Sequence, residues 1–292
     1  MKKAILLLLF IVSIYSKAQT IQFIDRQTSS PVSYASISWD GVSTFTDEYG
    51  KIDLGSTNAK HIKFTHICYR DTVINDIKGS PKVYVSPKAY TLDNISIFAK
   101  SNKKNILQNI GYTKYTSKSR NGGKNGLMMA VYIANSNINK DTYIHSILAC
   151  LDYINEKIKN RRVIDAELRF DIRCCAYQNG KRFPGNKSYI KGGIVYKGQK
   201  KSGMKTISLE QPIIFPKEGV FVTVEWICPG KLQEEITNAG VKTTTEDQNI
   251  QTYIKEHGSW ILLKYTESEK RFCKEYFNGK YRNLKVGLQV SR

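Results

Sequence analysis

Few residue types in this chain stand in an order that supports bond-making chemistry. The four histidines, His61, His66, His145 and His257, open neither an H-E-x-x-H nor an H-x-x-E pattern, so the paired zinc ligands of a metallopeptidase are not supplied by any motif. Neither a G-x-S-x-G elbow nor a phosphate-cradling glycine loop is present. The six cysteines, Cys68, Cys150, Cys174, Cys175, Cys228 and Cys273, contain no C-x-x-C and match no zinc spacing. A cysteine–histidine nucleophile needs both side chains within hydrogen-bond reach, and sequence order singles out no such pair. Glu225 beside Trp226 is the type of carboxylate a glycosidase uses, but that chemistry takes two acids and no second one is marked. A strand glutamate facing solvent accounts for the same pattern. The chain is therefore read as non-catalytic, with no cofactor and no metal. The alternative is a glycan-active hydrolase whose site is assembled from distant residues of the C-terminal domain.

Binding chemistry is better represented. There are 18 tyrosines, and aromatic rings exposed on a β-sandwich are a common way to stack sugars. Tyr177, Phe183, Tyr189 and Tyr196 lie in a basic, loop-rich stretch with Lys181 and Arg182, and these six are the candidate ligand-binding residues. Tyrosine is also simply favoured in strands, which yields the same composition. The formal charge is +20; Lys2, Lys3 and Lys17 account for three of it before residue 20, leaving +17. Such a balance ordinarily points to nucleic acid.

The first residues redirect that expectation. Met1-Lys2-Lys3, an apolar run from Ala4 to Tyr15 and small residues near Ala18-Gln19 have the form of a secretory signal peptide, too short to span a bilayer. An exported protein does not meet nucleic acid, so the expected partners are a glycan, lipopolysaccharide or an envelope protein. A soluble basic surface with no particular partner is equally compatible. Export also permits disulfides, yet several cysteines fall inside apolar strands, where a thiol packs as a small hydrophobe. No later segment is apolar enough to be transmembrane.

Positioning falls to strands. Residues 20–99 read as short alternating strands, Thr20–Ile24, Val32–Trp39, Val42–Thr46, Lys51–Leu54, Ile62–Ile67, Asp71–Ile74, Val83–Val85 and Ile95–Ile97. Val42–Thr46 and Lys51–Leu54 are expected to pair as a hairpin with Gly50 in the left-handed region. Pro31-Val32 with Ala35-Ser36-Ile37, then Thr46-Asp47-Glu48-Tyr49-Gly50-Lys51-Ile52, Ile62 to Tyr69, and Leu92 to Ile97 resemble the carboxypeptidase D regulatory-like domain. Cys68 stands where that family usually has glycine before the tyrosine. The resemblance implies a transthyretin-like (Ig-like) sandwich of about seven strands in a Gram-negative cell envelope, often ahead of TonB-dependent receptors. It brings no catalytic residue.

Residues 100–125 are polar and glycine-bearing and read as a linker. Residues 126–292 form the second domain. Its clearest strand alternates Leu168, Phe170, Ile172, Cys174 and Ala176 with Arg169, Asp171, Arg173, Cys175 and Tyr177. The first set is expected inward and the second outward; Cys228, on the face of Val222, Val224 and Trp226, is expected buried. A loop at Pro184-Gly185 follows, then Val220–Ile227, Trp260–Tyr265 and Leu284–Val290. Ile144–Ile158 fits both a helical stripe and a long edge strand. This order resembles an uncharacterised β-sandwich region that follows regulatory-like domains in exported proteins, implying a jelly-roll fold. The expected class is all-β, in two sandwiches.

Overall fold

A computed structural model describes residues 20–55, 59, 61–75, 82–88, 106–114, 120–136, 142–154, 163–229, 236–247, 249–256 and 258–291. The leader, the expected strand at Ile95–Ile97 and His257 lie outside the described residues. Among the described residues the protein is all-β apart from one short helix, and the chain divides into two compact units, residues 1–89 with 228–233 and the remainder.

The first unit contains β1 (Thr20–Asp25), β2 (Ser36–Trp39), β3 (Val42–Phe45), β4 (Lys51–Asp53), β5 (His61–His66), β6 (Tyr69–Asn75) and β7 (Lys82–Val85). They form a three-stranded sheet, β4-β1-β7, and a four-stranded sheet, β3-β2-β5-β6. Alternation places Ile21, Phe23, Ile37, Ile62 and Phe64 in one buried core, where Phe23 and Phe64 stack at 5.1 Å across the sheets. The expected β3–β4 hairpin is not formed: β3 pairs with β2 and β4 with β1, in different sheets. The reason is a closed corner. Asp47 Oδ1 accepts from Tyr49 N (2.9 Å) and Lys51 N (2.7 Å). Buried Thr46 Oγ1 accepts from Ala35 N (2.9 Å) and donates to Val32 O (3.0 Å). The chain is thereby anchored as it crosses from one sheet to the other. Gly50 is left-handed as expected (φ 70°), and a β-carbon there would sit 2.7 Å from Phe23 O. The true hairpin is β2–β3, closed by Asp40-Gly41 with φ 43° and 78°, the two positive values of a type I′ turn.

The second unit contains β8 (Gln108–Gly111), β9 (Arg120–Lys124), β10 (Met128–Ile133), β11 (Tyr143–Tyr153), β12 (Glu167–Gln178), β13 (Lys181–Ser188), β14 (Ile194–Val195), β15 (Gly203–Ile214), β16 (Val220–Ile227), β17 (Ile236–Thr244), β18 (Thr252–Glu256), β19 (Ser259–Leu262), α1 (Glu267–Phe277), β20 (Asn283–Leu284) and β21 (Val286–Ser291). One sheet runs β13-β12-β16-β10-β18-β19, with β14 beside β12. The other runs β20-β17-β11-β21-β8, with β15 beside β11 and β9 beside β17. Trp226 ties the two together: it is fully buried and its Nε1 donates to Ala239 O at 2.9 Å. Gly123 makes room for it, since a β-carbon there would fall 2.0 Å from the indole.

Several expectations change here. The stretch 100–125 holds two strands, β8 and β9, which belong to one sheet of the second unit. The described part of the segment that fitted helix or edge strand lies in a central strand, β11, paired along both edges and broken by a bulge between Ile144 and Ser146, and residues 155–158 lie outside the described residues. Pro184 and Gly185 sit inside β13, not in a loop. Helix α1 was not anticipated. Its signature was present in Thr266-x-x-Glu269, a capping box in which Thr266 Oγ1 accepts from Glu269 N and Glu269 Oε2 accepts from Thr266 N.

Candidate functional site

The candidate site is at the tip of the β12–β13 hairpin. Asn179-Gly180 closes it with φ 51° and 71°, a type I′ turn whose twist matches the flanking strands. That turn fixes the register Gln178↔Lys181, Tyr177↔Arg182, Ala176↔Phe183. Residues directly opposite in an antiparallel pair share a face, so Tyr177 and Arg182 stand side by side. Tyr177 is 59% exposed. The Arg182 guanidinium lies over the Tyr132 ring, 4.4 Å from its centroid, and its hydrogen bond to the Tyr177 hydroxyl raises its already high pKa.

The platform is braced from behind. Tyr132 Oη donates to Glu218 O at 2.9 Å, and the ring packs on buried Phe221 at 5.4 Å. Phe221 meets Tyr253 edge-on at 5.3 Å, and Tyr253 meets Phe183 at 5.9 Å. Tyr253 Oη donates to Arg182 O at 2.8 Å, linking β18 to β13. Strands β13 and β19, at opposite ends of the sheet path, also approach each other, so the sheet curls. Burial raises the Tyr132 and Tyr253 hydroxyls, keeping both neutral donors at ordinary pH. Burial likewise pushes the Cys175 thiol up to about 12; its Sγ donates to Glu218 O and Gly219 O at 3.4 Å. A thiol held protonated in this way packs as a small hydrophobe.

Of the six candidate residues, Tyr177, Arg182 and Phe183 belong to this cluster, and exposed Lys181 adjoins it at the tip. Tyr189 and Tyr196 do not. They lie along β12, their amides donating to Ile172 O (2.8 Å) and Leu168 O (2.9 Å). Lys187 Nζ sits 5.8 Å from the Tyr189 ring, and Tyr196 Oη reaches Gln199 O at 3.4 Å. Tyr132, Phe221 and Tyr253 were not anticipated, because three further strands bring them in. Asn179-Gly180 was the signal that would have aligned Tyr177 with Arg182.

The carboxylates lie differently from expectation. Glu225 does not face solvent: it is 7% exposed, and Arg169 donates to its Oε2 from Nε (2.8 Å) and Nη2 (2.6 Å). Asp171 is 3% exposed, accepting from Arg173 Nε (3.1 Å) and Ser188 Oγ (2.6 Å). Arg169 and Arg173 are buried with them. Both faces of β12 are therefore enclosed from Leu168 to Arg173, one by the apolar core and one by the curled sheet. The registers Arg169↔Glu225 and Asp171↔Thr223 set the two acids diagonally on one face. Burial pushes Asp171 up to about 6 despite the nearby Arg173. Each carboxylate is thus paired with an arginine inside the fold.

No disulfide joins the six cysteines. Cys228 is buried as expected, whereas Cys174 is only half-buried because it lies near the exposed end of β12; Cys175 is half-buried as well. His145 Nε2 lies 2.6 Å from Ser291 Oγ, and burial lowers its pKa. Among the described residues no group of three His, Cys, Asp or Glu side chains could hold a metal ion, and no helix is long and apolar enough to cross a membrane. Compared with known protein families, curated proteins and solved structures, the chain matches none.

Proposed function

We propose that this protein is a non-catalytic, exported module of a bacterial cell envelope that binds a glycan at the tip of the β12–β13 hairpin. The carrying observation is the Tyr177–Arg182–Tyr132 platform, an exposed ring beside a guanidinium seated over a second ring. A rigid ring presented on paired strands loses little entropy on binding and offers an apolar face to a pyranose. The hydrolase reading loses ground because Glu225 and Asp171 are enclosed and ion-paired.

The first unit supports the envelope setting. A three- plus four-stranded sandwich with a Thr46-Asp47-x-x-Gly50 corner is what a carboxypeptidase regulatory-like domain would present. On that basis the protein is an accessory of a TonB-linked outer-membrane system, and the leader directs export. Glycan binding is tested by titrating acidic and neutral oligosaccharides at 0.1 and 1 M salt, where the screening length falls from ~10 to ~3 Å. Stacking by Tyr177 survives the salt and is lost in Tyr177→Ala; attraction to the +17 surface alone disappears with salt and ignores that substitution. If no glycan binds at low salt, the platform is not a glycan site.

A further inference from the structure

The arginines of the second unit are not equivalent. Arg169 faces Glu225, Arg173 faces Asp171, and Arg120 Nε lies 3.8 Å from Asp152, each guanidinium having a carboxylate of the fold within reach. Arg182 has none among the described residues: its partners are the Tyr132 ring and the Tyr177 hydroxyl. A guanidinium carries five N–H donors in one plane. The Tyr132 ring, its centroid 4.4 Å from the guanidinium carbon, covers one side of the group without taking an N–H donor to an acid. The Tyr177 hydroxyl takes one donor. Arg182 is an exposed residue, open to a ligand. Its direction is constrained, because the backbone of Arg182 is tied to Tyr253 and Tyr132 is tied to Glu218 O.

An oriented guanidinium edge beside an exposed aromatic face is complementary to a sugar ring that carries a carboxylate. We infer that the platform selects acidic sugars of the uronic acid type, with Arg182 gripping the carboxylate in a two-pronged hydrogen bond and Tyr177 supporting the ring. The inference rests on the glycan-binding reading and narrows it. It separates recognition from general attraction: the other cations of the +17 surface attract any polyanion, whereas the Arg182 fork distinguishes a carboxylate from its ester.

The test uses the full chain after removal of the leader, in 0.15 M salt, with calorimetric titration of oligogalacturonate and of the same oligomer as its methyl ester. The unmodified protein is expected to prefer the acid by about tenfold or more, the scale of hydrogen bonds to a charged group. Arg182→Gln brings the two affinities together. Arg182→Lys keeps the charge but lacks the planar fork, and is expected to lose most of the preference. Lys270→Gln, an equal change of charge on exposed helix α1, leaves it intact. Thermal unfolding checks each variant, and Arg182→Lys decides the matter if Arg182→Gln does not fold. Equal binding of acid and ester overturns the inference while leaving the glycan platform standing. Full preference retained in Arg182→Lys also overturns it, because charge alone then suffices. Binding of neither oligomer removes the platform reading itself, and the inference with it.

Discussion

Replacing Glu225 discriminates between the binding and hydrolase readings through stability. The Arg169–Glu225 pair is about 90% buried on both sides and is joined by two hydrogen bonds to one oxygen. Removing one member of such a pair leaves an uncompensated buried charge and costs about 3–5 kcal/mol. Glu225→Gln keeps an acceptor for Arg169, so the lower end, about 3 kcal/mol, is expected. For a unit of this size each kcal/mol moves the midpoint by about 2–4 °C, so Tm should fall by about 6–12 °C. The paired change Arg169→Met with Glu225→Leu should recover most of that loss, because well-packed apolar groups replace buried pairs at little cost. Urea unfolding of the four proteins gives the coupling energy directly. A carboxylate held for chemistry behaves otherwise: its removal commonly leaves stability unchanged or raises it. Glu225→Gln at unchanged or higher stability would therefore refute the structural assignment and reopen the hydrolase reading.

Asp171 supplies a pH test. Its folded pKa of about 6 exceeds the ordinary aspartate value near 4. Between those values the folded state holds a proton the unfolded state has lost, so stability from this group falls as pH rises from about 4 to 6, by up to ~1.4 kcal/mol per unit. The stability of the unmodified protein relative to Asp171→Asn should slope accordingly, and a flat difference would place Asp171 in a less buried setting. Gly50→Ala should destabilise the first unit by about 1–3 kcal/mol, combining an unfavourable φ with a β-carbon 2.7 Å from Phe23 O; an unchanged melting profile counts against the corner. Cys228 and Cys273, each 1% exposed, should resist a thiol reagent while Cys174 reacts sooner, and rapid labelling of either buried thiol contradicts that packing.

How much of this was legible follows from the range of each signal. Period-two alternation in Thr20–Ile24 and in Leu168, Phe170 and Ile172 identified strands and their core faces, because alternation is local. The left-handed Gly50 was legible for the same reason. The sheet partners of β3 and β4 were not, since a turn signal gives a change of direction and not the sheet to which the chain returns. Helix α1 was overlooked with its capping box in plain sequence, because its apolar stripe is weak: Cys273 is its buried residue, while Phe272 and Tyr276 are exposed. The outward reading of Arg169, Asp171, Arg173 and Glu225 failed for a physical reason. Alternation assigns polar residues to the second face of a strand, and it is silent on whether that face meets water or a sheet curled over it.

That curl separates two kinds of cation in the protein. On β12 the arginines at 169 and 173 are consumed within the fold, their charges matched by Glu225 and Asp171 and shielded from any ligand. Past Cys175 the strand emerges, and burial declines steadily to the exposed turn at Asn179. Arg182 lies on the returning strand just beyond this transition, where aromatic neighbours take the place of acids. A guanidinium set against phenol rings keeps its charge and its planar geometry while giving up none of its donors to a carboxylate. A single hairpin thus carries buried, ion-paired arginines at its base and an uncommitted fork at its tip. Net charge, which counts both kinds alike, bears on how fast an anion arrives; which anion stays depends on cations whose donors the fold both leaves free and holds in place.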